Sequence, residues 1–309
     1  MSSEGGEELT IKDGENVFEE HDVAATEIQP TLTVEGTGPV SYVETWGQAG
    51  RSEVWTGRET GMVVDKGVVK EPVNAVVTCT SVLPSKKDAK YVALTFDEGP
   101  SAQTEQIVQI LREKDARATF FVEGDKVSSN AAAVRAIAAS GNELGVNAYS
   151  DTDLTELDAS HVRDQLTQAF AAVEDAANTT PTLLRPPFAA FSNQNWADAM
   201  DLVSAVITWN VDSGDWLLQG ATSVVDTVVG SVSNGDIVLL TDNDATAEQT
   251  VEALPQLIDR LREEGYELVT LSDLIATDDE LKDAINTSKA GMSKGAALPV
   301  VSDDGESDE

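Results

Sequence analysis

The chain has 309 residues, 55 acidic and 20 basic, giving a formal charge of −35. That length can bury a large core in one large domain or two unequal ones. So acidic a surface repels polyphosphates and anionic headgroups, which argues against nucleic acid and acidic membranes as partners; it favours solubility and suits a cation-rich setting.

Residues 1–27 are acidic and lack periodic apolar positions, so they are expected to be poorly ordered. Their opening, Met1-Ser2-Ser3-Glu4-Gly5-Gly6, has neither the basic nor the apolar region of a signal peptide. The chain is therefore either cytoplasmic or trimmed of a signal or anchor. Residues 28–84 change character. Short β-rich runs at 31–34, 40–43, 52–56 and 61–64 are punctuated by Gly36, Gly38, Gly47, Gly50, Gly57, Gly61 and Gly67, and an alternating run over 70–77 closes the segment. Cys79 is the single cysteine, which rules out an intramolecular disulfide and a zinc ribbon.

A polar linker over 84–90 follows, and beyond it strand-like and helical runs alternate, the pattern of an α/β fold. Residues 91–96 read as a strand, 104–114 as an amphipathic helix, and 118–122 as a buried strand. Helices are expected at 131–139, ending at Gly141, and at 161–177; strands at 205–209 and 236–240; a helix at 251–264, ending at Gly265; and a last strand at 267–270. Residues 277–309 are acidic and rich in small residues, with one short helix near 278–284 and otherwise no expected order. No apolar run approaches the ~18 residues a membrane span needs.

Five segments carry the chemistry, and those at 95–100, 210–216 and 237–242 lie at or just after predicted strands. Thr95-Phe96-Asp97-Glu98-Gly99-Pro100 delivers two adjacent carboxylates into a Gly-Pro turn, a common way to build a metal or general-base site. Asn147 and Asp151 stand four residues apart after the Gly141-Asn142-Glu143-Leu144 stretch. Then come Leu184-Arg185-Pro186-Pro187-Phe188, Asn210-Val211-Asp212-Ser213-Gly214-Asp215-Trp216, and Ile237-Val238-Leu239-Leu240-Thr241-Asp242. In order and spacing, over about residues 89–275, these segments resemble the motifs of the polysaccharide deacetylases, carbohydrate esterase family 4 with its NodB-homology domain.

The resemblance implies a distorted (β/α) barrel over residues 85–276, with its site at the C-terminal ends of the strands. It gives Asp97 the place of the general base and Arg185 that of the residue orienting it. Pro187, Phe188 and Trp216 take groove positions, and Asp215 that of the aspartate tuning a histidine. The departures are as telling. Glu98 replaces the metal-binding aspartate and is one methylene longer. Asn147 and Asp151 occupy the positions of the two zinc-holding histidines. Thr241 occupies that of the acid histidine, and a hydroxyl undergoes no charge change near neutral pH. Phe188 lacks the tyrosine hydroxyl usual there.

The remaining set, Asp97, Glu98, Asn147 and Asp151, is all oxygen. It cannot be a histidine zinc site, and it leaves open a weak calcium, magnesium or manganese site at Glu98, Asn147 and Asp151. Trp216 either stacks on sugar or fills core. His21 and His161, the two histidines, match no family position and are expected at the surface.

Residues 28–84, above all the ending Val68-Val69-Lys70-Glu71-Pro72-Val73-Asn74-Ala75-Val76-Val77, resemble the G5 module of bacterial surface proteins. That resemblance implies either binding of wall polysaccharide or a stiff spacer. The whole reads as an extracellular or wall-associated protein with cell-wall polysaccharide or peptidoglycan as its partner. The expected function is a deacetylase-like pseudoenzyme that binds or scaffolds glycan. The alternative is an active deacetylase, a hydrolase of amide bonds using an oxygen-ligated cation.

Overall fold

The structure is a computed structural model. It describes residues 18–23, 31–33, 41–48, 50–56, 63–70, 73–79 and 81–282, except 83, 86–88, 200, 201 and 280 within the last range. The acidic tail beyond 282 and most of the N-terminal acidic segment lie outside the described residues.

The first strands are β1 (Phe18–Val23), β2 (Thr31–Thr33), β3 (Ser41–Gln48), β4 (Gly50–Thr56), β5 (Val63–Lys70) and β6 (Val73–Cys79). Then come β7 (Lys90–Gly99), α1 (Thr104–Glu113), β8 (Thr119–Glu123), α2 (Gly124–Val127), α3 (Ala131–Ala139), β9 (Glu143–Ala148), α4 (Ala159–Ala177) and β10 (Leu183–Leu184). The remainder is α5 (Asn193–Ala199), β11 (Ala205–Ile207), β12 (Val211–Asp212), α6 (Ala221–Ser231), β13 (Asp236–Thr241), α7 (Ala247–Glu263), β14 (Tyr266–Leu268) and α8 (Leu271–Ile275).

Strands β13, β7, β8, β9, β10 and β11 lie side by side, each parallel to its neighbour. β11 pairs with β10, and β12, a few residues further on, pairs with β13. The segment 205–212 thus passes from one flank of the parallel strands to the other, so the sheet curls towards a barrel without closing, and β6 continues it beyond β11. Helices cover the outside, which is why β8 and β13 are buried along their whole length and read as continuous apolar runs.

The two-residue period of a strand sorts the side chains into two cores. Val92, Leu94 and Phe96 of β7 and Val238 and Leu240 of β13 pack outward with the helices. Ala93 and Ile237 fall in a second cluster with Phe121, Leu183, Ala205 and Ile207, which also holds Leu271, Leu274 and Ile275 of α8 and its flanks. The same alternation then carries Thr95 and Asp97, and Leu239 and Thr241, on the inner face. The inner face is apolar at the bottom and polar at the C-terminal ends, so the site is a product of the period.

Two features differ from the sequence reading. β1, within the segment expected to be poorly ordered, is a strand whose backbone groups are taken up by β4. And β6, assigned by pattern to the β-rich module, pairs antiparallel with β3 on one side and parallel with β11 on the other. The expected boundary near residue 84 therefore falls inside one hydrogen-bonded sheet. Among the described residues no helix is long and apolar enough to cross a membrane.

Candidate functional site

Arg185 leaves β10 with its N–H bonded to the Val146 carbonyl at 3.0 Å, and its guanidinium lies fully buried inside the barrel. Nη1 donates to Asp97 Oδ1 at 2.8 Å and to Thr95 Oγ1 at 2.6 Å; Nε and Nη2 donate to the carbonyls of Ile207 and Thr208 at 3.2 and 3.0 Å. The guanidinium also lies over Phe121 and Trp209, at 4.3 and 5.4 Å from the ring centres. A buried ion pair is tolerable only when its remaining donors are satisfied, as these are. Burial raises the Asp97 pKa to about 6, and the Arg185 charge opposes a larger rise.

Glu98 follows with φ of +66°, a left-handed conformation that costs a side-chain-bearing residue on the order of 1 kcal/mol. Its neighbours hold it there: Lys126 Nζ donates to its carbonyl at 2.8 Å and Asn243 Nδ2 to its Oε2 at 2.6 Å. Asn147, near the end of β9, is buried and donates through Nδ2 to the Arg185 carbonyl at 2.9 Å. Asp151 is exposed on the loop that follows.

Asp97, Glu98, Asn147, Asp151 and Thr241 line one cavity of about 350 Å³, together with Pro187, Phe188, Trp209, Asp212, Trp216 and Leu239. Phe188 and Trp216 stand at its rim, 68 % and 52 % exposed. Trp216 is therefore not core, and its Nε1 donates to Asp212 Oδ1 at 3.2 Å, which fixes the ring.

Asp215 is fully buried beside the cavity wall. Its Oδ2 accepts the Thr241 N–H at 2.8 Å and the Thr250 hydroxyl at 2.7 Å, while its Oδ1 has no partner. Burial raises its pKa. The Thr241 hydroxyl is engaged with that of Thr246. One residue on, Asp242 is fully buried and accepts from Ser101 and Thr104 hydroxyls at 2.7 and 2.6 Å, tying the turn after β7 to β13.

The donors present do not fit zinc. Asn147 offers an amide and Asp151 an exposed carboxylate where the resemblance would set imidazoles, and Asp97 and Glu98 are drawn to Arg185 and Asn243. Among the described residues no group of three or more His, Cys, Asp or Glu is placed to hold a metal ion. His161 is exposed beside Asp158, which caps α4; the side chain of His21 lies outside the described residues.

The tertiary structure brings Asp97, Glu98, Asn147, Asp151, Pro187, Phe188, Trp216 and Thr241 to this cavity, and Arg185 and Asp215 bond to two of them from behind it. The sequence reading missed Trp209, Asp212, Leu239 and Asn243. Trp209 ends a run read as a strand, and an aromatic at the C-terminal end of a barrel strand was the available signal. Asn243 gave none, because its role depends on a loop crossing to Glu98.

The polysaccharide deacetylase family model matches residues 85–205. A bifunctional xylanase/deacetylase of Pseudobutyrivibrio xylanivorans is 34 % identical over 192 residues, 61 % of this chain and 31 % of that protein. A peptidoglycan-N-acetylglucosamine deacetylase of Bacillus cereus is 31 % identical over 189 residues, 60 % of this chain and 88 % of that protein. Among solved structures, a CE4 family pseudoenzyme from Bacillus anthracis is 28 % identical, with a TM-score of 0.58 over 64 % of this chain and 68 % of that one. The chain spans about a third of the length of the first of these relatives.

Proposed function

The chain belongs to the polysaccharide deacetylase family, and from that premise we propose that it is a member without zinc-dependent deacetylation, retained outside the cell to bind or scaffold cell-wall glycan. The bare Oδ1 of Asp215 carries this reading. The family resemblance makes that aspartate the partner of an acid histidine at position 241. Thr241 supplies its backbone N–H and has no imidazole, so the carboxylate keeps its place and has lost the group it would tune. Metal-assisted amide hydrolysis needs a polarised carbonyl, an activated water and a proton donor. Asp97 and Arg185 retain the base position; Asn147, Asp151 and Thr241 replace the rest. The likeness to a family pseudoenzyme supports the reading.

Glycan binding is supported by the exposed Phe188 and Trp216 at the mouth of a cavity large enough for a sugar unit. The names of the relatives point to peptidoglycan or another wall polysaccharide as the partner. Residues 28–84, read as a G5-like module, add a second wall contact or a spacer. Purified protein is expected to hold no stoichiometric zinc, to release no acetate from N-acetylated oligosaccharides, and to sediment with peptidoglycan sacculi. Turnover abolished by a chelator would overturn the reading.

One observation favours a second reading, an active deacetylase with an oxygen-ligated cation: Glu98, Asn147 and Asp151 line the same cavity as Asp97. Calorimetric titration with calcium, magnesium and manganese separates the two. Binding tighter than millimolar, with acetate release dependent on that ion, would select the second.

A further inference from the structure

We infer that the cavity selects a de-N-acetylated hexosamine, held by its ammonium group, over the acetylated sugar. The inference rests on the glycan-binding reading and adds the chemical form of the glycan.

The cavity floor offers free acceptors, two of them carboxylate oxygens, and no free cationic donor. Asp97 is only 6 % exposed; its Oδ1 is taken by Arg185, and among the described residues no hydrogen bond reaches its Oδ2. Asn147, 3 % exposed, has turned its Nδ2 to the Arg185 carbonyl, which leaves Oδ1 as its free end. Glu98 has Oε2 bonded to Asn243 and Oε1 free. The charged and hydroxyl groups that could donate are engaged: Arg185 with Asp97, Thr95 and two carbonyls, the Thr241 hydroxyl with Thr246, and Lys126 Nζ with Glu98 O and Glu123 Oε1.

A ligand for such a floor must bring N–H groups. A protonated primary amine brings three and a positive charge. An acetamido group brings one, no charge for the carboxylates, and a carbonyl that faces acceptors. Leaving a buried acceptor unpaired costs on the order of 1–3 kcal/mol, which is discrimination of roughly ten- to hundredfold.

The walls agree with the floor. Asp97, Glu98, Asp151 and Asp212 line the cavity, and the one guanidinium beneath them is paired. Trp209, Trp216 and Phe188 supply faces for a pyranose ring and for a cation. The overall charge of −35 raises the local concentration of any cationic oligosaccharide.

The test is calorimetry on the full chain with three probes at pH 6: a β-1,4-linked glucosamine tetramer, its fully N-acetylated counterpart, and tetralysine. The expected result is at least tenfold tighter binding of the glucosamine tetramer than of either control. The preference should fade as pH rises past the titration of the sugar amine, and fall several-fold in Asp151→Asn and in Glu98→Gln. Trp216→Ala should weaken the sugar and leave tetralysine unchanged. Equal or tighter binding of the acetylated tetramer overturns this inference and leaves glycan binding standing. Tetralysine binding as tightly as the glucosamine tetramer overturns it as bulk charge attraction. Binding of neither sugar overturns the glycan-binding reading as well.

Discussion

Asp97 and Thr241 stand opposite each other as register partners at the C-terminal ends of the parallel strands β7 and β13, both facing the cavity. Adjacent parallel strands place equivalent inward residues side by side, so a base and an acid in these positions would flank one bond. Under the proposed function, Asp97 keeps the base position and Thr241 puts a hydroxyl in the acid position. The consequences can be measured.

Asp215→Asn is expected to leave the fold unharmed and to stabilise it by about 1 kcal/mol at pH 7. The substitution keeps an oxygen for Thr241 N and Thr250 Oγ1 and removes a buried charge whose other oxygen has no partner. Urea unfolding of both proteins tests it. A loss of more than 1 kcal/mol would mean that Oδ1 has a partner in solution.

Arg185→Met is expected to cost about 3–5 kcal/mol, because it leaves the Asp97 carboxylate buried and unpaired. Arg185→Met with Asp97→Asn should recover part of that loss, since both charges are gone. A double-mutant cycle in guanidinium chloride reads the coupling; additive losses would show that the pair is not coupled.

Stability should rise as pH falls from 8 towards 4. Burial raises Asp242 from 3.8 to about 6 and Glu123 from 4.5 to about 7. For an acid with a raised folded-state pKa, the folded chain binds more protons than the unfolded one between the two values. The penalty is absent below the unfolded pKa, grows through the window, and is complete above the folded one. For Asp242 it is on the order of 3 kcal/mol. Asp158, lowered to about 2 by the α4 cap, works in the opposite sense only below about pH 4. Thermal melts across this range should show the slope, and Asp242→Asn should flatten it. A melting temperature independent of pH in both proteins would be the contrary result.

Gly99→Ala should destabilise by roughly 1–3 kcal/mol. A Cβ on Gly99 would meet Asp242 Oδ2, the oxygen that accepts from Thr104, at 2.4 Å. Gly99→Ala in the Asp242→Ala background should cost much less, because the clashing carboxylate is then gone. An equal cost in both backgrounds would place the strain elsewhere.

Much of the barrel was legible because its strands are buried on both faces and its helices on one, so the chain alternates continuous apolar runs with 3.6-periodic ones. The helices at 131–139 and 161–177 and the strand at 236–240 follow from that pattern and match α3, α4 and β13 closely. Short elements such as β10 and β12, each of 2 residues, leave no periodic trace. The place of β6 beside β11 was also illegible, because parallel pairing joins residues far apart in sequence and depends on the curl of the sheet.

The sequence by itself carried the resemblance to the family and the residue types at its motif positions: Asn147, Asp151 and Thr241 are read directly, and no fold can turn them into imidazoles. Only the tertiary structure decided what the substitutions leave behind. It put Arg185 inside the barrel on Asp97, left Asp215 Oδ1 bare, and set Trp216 at the rim. The physical reason is that residue identity fixes which atoms can donate or accept. Whether a given donor meets an acceptor depends on strands that are distant in the chain and adjacent in space.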